Sequence, residues 1–158
     1  MSGASHLEID VCNRQRTVAV PARRISQAAR TAALHAGGFS GGLSIVLVGE
    51  RKMRQLNREF AGVRGTTDVL AFDLQEGPEA PCGDIAGEVI VNAALAAREA
   101  RRRDKSPVDE LLLYVVHGVL HLCGYRDGDD EQRGRMRAAE RAVLADIGAW
   151  DAASGGGP

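Results

Sequence analysis

The spacing of apolar residues changes several times along the chain, and each change marks an element. Leu7, Ile9 and Val11 alternate with polar residues, as on a strand with one face covered. Pro21 suits the first turn of a helix that stops at Gly37-Gly38, with Ile25, Ala28, Ala29 and Ala32 as its apolar stripe. The run LSIVLV, Leu43–Val48, is continuously apolar between glycines, which predicts a central strand covered on both faces. Met53, Leu56 and Phe60 return to helical spacing over Glu50–Phe60. After the turn AGVRGTT come two further strands, Thr67–Leu74 and Gly87–Asn92. Between them QEGPEAPCGDIA, rich in Gly and Pro, predicts a surface loop.

The second half is helical. Asn92 can cap AALAAREARRRD, whose terminal arginines complement the helix dipole. Ser106-Pro107-Val108-Asp109 combines a capping hydroxyl, a proline at the first helical position and a carboxylate three residues past the cap. The helix it opens, PVDELLLYVVHGVLHL, is apolar nearly all the way round, which predicts a central, buried position. Gly124 is its stop. A last helix runs from Asp130 to Ile147, with Met136, Ala139, Val143 and Ile147 as its packing stripe. The order of elements argues for an α+β domain, one small mixed sheet with helices packed on it. Residues 1–150 read as a single domain and 151–158, ending ASGGGP, as a disordered tail.

Composition adds exclusions. The 158 residues carry a formal net charge of −1, so no global basic field points to nucleic acid, although a local patch or a metal can still engage phosphate. Cys12, Cys82 and Cys123 are odd in number and far apart, without zinc-ribbon spacing, which argues against a disulfide framework. The N-terminus lacks the pattern of a signal peptide, and no apolar run approaches a membrane span. A reduced, cytoplasmic protein is expected.

The chemistry concentrates in HGVLHLCGYRD, residues 117–127. His117 and His121 are one helical turn apart, so both imidazoles leave the same face and can grip one ion. The break at Gly124 lets Asp127 fold back as a third ligand. Three protein ligands with a water in the fourth position are the usual form of a catalytic zinc site. On so apolar a helix an imidazole needs partners for its polar atoms, which a metal and outer acceptors supply. Asp129 and Asp130 fit capping of the last helix better, and either is the alternative third ligand. Cys123 reads as a packing residue, His6 and His35 as surface residues. No serine or cysteine has a triad context, and there is no phosphate-binding glycine loop.

HGVLHLCGYRD resembles the metal-binding signature of the YbeY-like endoribonucleases, bacterial rRNA maturation factors, whose motif runs H-G-x-L-H-L-x-G-Y-D-H; nine of eleven positions fit. Upstream, LNREFAGVRGTTDVLAF is similar to the family's L-N-x-x-(Y/F)-R-…-T-D-V-L-S-F, and GDIAGEVIVNAALA to its G-(D/E)-I-V-I-S strand and following helix. The resemblance covers about residues 7–147. It implies a single-strand-specific, zinc-dependent endoribonuclease acting in 16S rRNA 3′-end maturation and ribosome quality control. It also implies a mixed four-stranded sheet with about five helices, and rRNA, the small ribosomal subunit and its assembly factors as partners; neither membrane nor DNA is expected. Two departures matter for the chemistry. Asp127 replaces the last motif histidine, and oxygen ligation can loosen selectivity toward harder ions. The family arginine, a natural holder of the scissile phosphate, falls at Ala61, which leaves Arg58 and Arg64 as the nearby substrate-binding candidates.

The skeleton H-x-x-x-H-x-x-G-x-x-D is also that of metzincin peptidases, with Gly118 in place of their glutamate. Peptide hydrolysis needs a base for the metal-bound water and the leaving amine. RNA brings a nucleophile of its own, the 2′-hydroxyl, and leaves as an alkoxide. The metal-bound water is therefore expected to act with no side-chain base assigned, and phosphodiester chemistry is favoured. A metal hydrolase of another class would need a carboxylate from elsewhere, Glu88 or Asp68 for example. A non-catalytic, metal-binding assembly factor is the third reading, with Ala61 as its mark.

Overall fold

A computed structural model describes residues 6–38, 40–75 and 84–150. Strand β1 (His6–Asn13) leads to helix α1 (Ala22–His35), strand β2 (Ser40–Val48) and helix α2 (Glu50–Leu56), which runs into a π turn over Asn57–Ala61. Strands β3 (Val69–Asp73) and β4 (Asp84–Asn92) follow, then helices α3 (Ala93–Arg102), α4 (Pro107–Leu122) and α5 (Asp130–Asp146). One sheet has the order β1-β2-β4-β3, parallel except where β3 runs antiparallel to β4 along the edge. The α+β architecture with a mixed four-stranded sheet and five helices is the one the sequence predicts.

The two-residue period of the strands sorts side chains between unequal layers. Leu43, Ile45 and Leu47 of β2 and Val89 and Val91 of β4 join the main core with α1, α3, α4 and α5. On the other face Val48 and Ile90 meet Met53 and Leu56 of α2, with Val46, Leu70 and Phe72 partly covered. The expectation of a β2 covered on both faces is met fully on one side and partly on the other. Helix α4 is buried at Leu111, Leu112, Leu113, Val115, Val116, Val119 and Leu120, as its all-round apolarity requires. Among the described residues no helix is long and apolar enough to cross a membrane.

Several boundaries move, each for a contact the local pattern does not contain. Strand β2 begins at Ser40 and takes in Gly41, at φ +107°, where a Cβ would stand 1.9 Å from the Ile85 carbonyl oxygen. Only glycine allows that approach of two backbones. Strand β4 starts at Asp84, inside the stretch expected to be loop, because Ser40–Gly42 of β2 pair with Asp84–Ala86. Residues 76–83 of that loop, Cys82 among them, and the tail 151–158 lie outside the described residues. The helix expected to reach Phe60 keeps its α form only to Leu56; the turn beyond it closes with Gly62 in the left-handed region, φ +66°. Pro21 caps α1 instead of opening it. Strand β3 begins at Val69, whose N–H donates to the Asp68 carboxylate at 2.8 Å.

Asn92 ties the sheet to the helical half. It is fully buried. Its Oδ1 accepts from the Leu95 N–H at 3.0 Å, capping α3, and its Nδ2 donates to Thr66 Oγ1 at 2.9 Å and the Thr67 carbonyl at 3.2 Å. Losing a cap costs about 1 kcal/mol, and a buried acceptor left unpaired roughly 1–3 kcal/mol. Asn92→Ala is expected to destabilise the fold by about 2–3 kcal/mol. Equilibrium denaturation measures this, and an unchanged midpoint would refute it.

Candidate metal centre

Helix α4 is built to present two imidazoles and then stop. Ser106 Oγ accepts from the Asp109 N–H at 3.5 Å, and Pro107 takes the first helical position. At the other end Gly124, at φ +105°, donates its N–H to the His121 carbonyl at 3.1 Å, while the Tyr125 N–H reaches the Leu120 carbonyl at 3.0 Å. This paired 5→2 and 6→1 bonding is a Schellman motif. It reverses the chain, so that Asp127 returns to the histidines. Asp129, the other candidate ligand, is committed elsewhere: its carboxylate accepts from the Gln132 N–H at 2.7 Å and caps α5. Asp130 pairs with Arg133.

Three donor atoms converge. His117 Nε2 and His121 Nε2 are 3.0 Å apart, and Asp127 Oδ2 lies 3.8 Å from the first and 3.4 Å from the second. The point in their plane equidistant from the three stands about 2.0 Å from each, close to the length of a zinc–nitrogen or zinc–oxygen bond. Two imidazoles and a carboxylate are also the right chemical set for zinc, leaving the outer side open. Among the described residues this is the one group of histidines, cysteines and carboxylates gathered closely enough to hold an ion. The residues present therefore fit a divalent metal.

Glu140 of α5, which the sequence reading missed, sits behind His117. Its Oε1 is 3.0 Å from His117 Nδ1, and the residue is 6% exposed. The carboxylate accepts, so Nδ1 carries the proton and the Nε2 lone pair faces the other two ligands. Burial of the ring works against its charged form. The Glu140 hydrogen bond and charge, with Asp68 and Asp127, outweigh burial and raise the His117 pKa above the ordinary imidazole value. Glu140 was legible in principle: it is an acid next to Ala139 and four residues past Met136, on the packing stripe of the last helix. Outer-sphere partners of this kind are worth about 10–100-fold in metal affinity. Glu140→Gln is accordingly expected to weaken zinc binding by about 10–100-fold. Competition against a chromophoric chelator reads this out, and an unchanged affinity would remove Glu140 from the site.

The remaining candidates separate. Gly118 faces the sheet: a Cβ there would stand 2.6 Å from Val89 Cγ1 and 2.9 Å from Val69 Cγ2. Glu88 shares the face of β4 with Ile90, on the α2 side, while Val89 and Val91 point to α4; the sheet separates Glu88 from the metal ligands. Asp68 lines a cavity of about 420 Å³ with His117 and Glu140. Its Oδ1 accepts from the Val69 N–H and the Thr67 hydroxyl. The thiol of Cys123 is pushed up to about 11 by burial, which suits packing and not ligation. Arg58 lines a recess with Glu50, Arg51, Arg54 and Gln55 that holds none of the metal ligands, and Arg64 is exposed.

A larger groove, about 800 Å³, opens beside His121. Val69, Leu70 and Ala71 of the edge strand form one side, Gly37 and Gly38 another. Among the described residues Arg126 is the one arginine or lysine that lines it, with Nη1 3.4 Å from the His121 carbonyl and 3.3 Å from that of Tyr125. Sequence reasoning passed over Arg126, although it stands where the family motif has aspartate.

The fold and site thus define a class: an α+β domain whose central helix and returning turn assemble a two-histidine, one-aspartate metal centre beside an open groove. The sequence pattern of the family described as Endoribonuclease YbeY matches residues 10–148, and the chain belongs to that family. The Endoribonuclease YbeY of Halorhodospira halophila is 40% identical over 118 residues, 73% of this chain and 77% of that protein. That of Geobacter sulfurreducens is 34% identical over 143 residues, 88% and 95% of the two chains. The solution structure of TM1509 from Thermotoga maritima superposes with a TM-score of 0.60 at 24% identity, covering 87% of this chain and 90% of that one, and supports the fold.

Proposed function

We propose that this protein is a zinc-dependent endoribonuclease that cuts single-stranded RNA in the cytoplasm, in the maturation of the 16S rRNA 3′ end and in ribosome quality control. Residues 1–150 form its metal-dependent domain, and the small ribosomal subunit and its assembly factors are its partners. The observation that carries the reading is the triangle of His117, His121 and Asp127 donor atoms, with His121 lining a groove, in a member of this family.

A divalent ion held there supplies Lewis acidity, stabilising negative charge on a phosphate oxygen. The chain does the positioning. Glu140 fixes the tautomer and orientation of His117, and the Schellman turn fixes Asp127. Arg126 puts a permanent cation in the groove beside His121, suited to a phosphate. No side-chain base is supplied at position 118, because that side of the helix packs on the sheet. RNA carries its own nucleophile, the 2′-hydroxyl beside the phosphorus; its proton would pass to solvent and the leaving 5′-oxygen would take one from solvent, so no base from this helix is called for. A metzincin-like peptidase is less well served: Gly118 and Glu88 are turned away from the ligands, and Asp68, which shares a cavity with His117, has its Oδ1 engaged by the Val69 N–H and the Thr67 hydroxyl.

The test is cleavage of an end-labelled, single-stranded rRNA 3′-end fragment by zinc-loaded protein. Discrete products that vanish on chelation and return with zinc support the reading. Intact RNA at full zinc occupancy, on the fragment and on small-subunit particles alike, would leave a non-catalytic assembly factor in its place.

A further inference from the structure

Phe60 is 64% exposed, the most exposed of the large hydrophobic side chains among the described residues. It is held there by structure. The π turn over Asn57–Ala61 ends with Gly62 in the left-handed region; buried Asn57 donates from Nδ2 to the Gly65 carbonyl at 3.2 Å and accepts from the Val63 N–H at 3.4 Å. Phe72 of β3 braces the ring, with centroids 5.3 Å apart and planes at 67°. Such an edge-type contact fixes a ring while leaving much of its surface to solvent.

The surroundings are basic. Residues 50–64 carry Arg51, Lys52, Arg54, Arg58 and Arg64 against Glu50 and Glu59, in a chain whose net charge is −1. Glu50 is taken by Arg54 and Arg98, and Glu59 accepts from Gln55. Among the described residues neither Arg58 nor Arg64 has a carboxylate within ion-pair distance. A rigid exposed aromatic between unpaired arginines is what single-stranded nucleic acid uses: a face for a base to stack on, and cations for the flanking phosphates. The exposed apolar side chains on this stretch and just past β3, Phe60, Val63 and Leu74, stand with Arg58 and Arg64, a mixture that suits a polyanion with bases better than an apolar protein face.

We propose that Phe60, with Arg58 and Arg64, is a stacking platform for one base of single-stranded RNA, set on the α2 side of the sheet. This rests on the reading of RNA as the substrate. The link to the metal centre is β3 itself. Phe72 braces Phe60, and Val69, Leu70 and Ala71 of the same strand line the groove at His121. Because β3 is the last strand of the sheet, an RNA chain leaving the groove crosses one strand to reach Phe60.

Binding of a fluorescent 2′-O-methyl oligonucleotide, which lacks the free hydroxyl, tests the platform without cleavage. In zinc-loaded full-length protein Phe60→Ala should weaken binding about tenfold, Phe60→Trp should preserve it, and Phe60→Leu should resemble alanine despite its apolar bulk. An abasic site walked along the oligonucleotide should cost the wild type about tenfold at one position and cost Phe60→Ala nothing there. Arg58→Ala and Arg64→Ala should each lower the slope of log affinity against log salt by about one. On cleavable RNA, Phe60→Ala should raise KM with kcat unchanged. Wild-type affinity in Phe60→Ala, or an alanine effect equal at every abasic position, overturns the proposal, as does loss of binding to ribosomal particles alone. Failure of the wild type to cut, with these binding differences intact, would instead count against the nuclease reading.

Discussion

His121→Ala is expected to abolish RNA cleavage while leaving the fold almost untouched. The ring is part of an open site, its side chain 27% exposed, and among the described contacts its nitrogens meet only His117 and Asp127. Removing it deletes one of three donors. A Lewis-acid metal is worth several kcal/mol of transition-state stabilisation, and each ~1.4 kcal/mol is tenfold in rate. The rate should therefore fall by on the order of 10³-fold or more. His117→Ala should lose activity equally but also stability, because it strands the buried Glu140 carboxylate; the cost of such a group is roughly 1–3 kcal/mol or more. Adding Glu140→Gln to His117→Ala should recover part of that stability and none of the activity. Zinc titration, thermal melts and gel assays on the same preparations separate the effects. Wild-type cleavage by pure His121→Ala would show that the chemistry lies elsewhere.

This pattern of effects mirrors what the sequence makes legible. Helix α4 writes its own ends: Ser106-Pro107 at the start, an apolar body, Gly124 at the stop. The four-residue spacing of its histidines, and the short return to Asp127, are local facts that survive folding unchanged. The partners that complete the site are not local. Glu140 meets His117 across 23 residues, and Asn92 meets Thr66 across 26. Their roles depend on which helix packs where. The same holds at the sheet. QEGPEAPCGDIA reads as loop, yet its last residues become strand because β2 offers them a parallel partner. Helical spacing over Glu50–Phe60 is real, but the π turn adds a residue to the last ring and swings Phe60 out of the stripe that Met53 and Leu56 keep.

Gly118 is where sequence and structure answer one question together. Sequence alone shows that the glutamate of a zinc peptidase is missing; the structure shows that it has no room. A Cβ at 118 would press into Val89 and Val69, so α4 rests on β4 and β3 through a bare backbone. Gly118→Ala should cost about 1–3 kcal/mol by overpacking, offset in part by the gain in helix propensity. Gly118→Glu forces a carboxylate into the same apolar seam, at several kcal/mol for an unpaired polar group. A domain of this kind has only about 5–15 kcal/mol to lose. The glutamate variant is therefore expected to be largely unfolded, and not converted to a peptidase. Circular-dichroism melts and a casein assay on the alanine and glutamate variants decide it. A folded Gly118→Glu that hydrolysed casein would mean that α4 can turn on the sheet and aim position 118 at the ion. The absent base would then be a matter of sequence choice. If it fails to fold, the packing that seats the histidines also bars the base, and phosphodiester chemistry is what this helix can still perform.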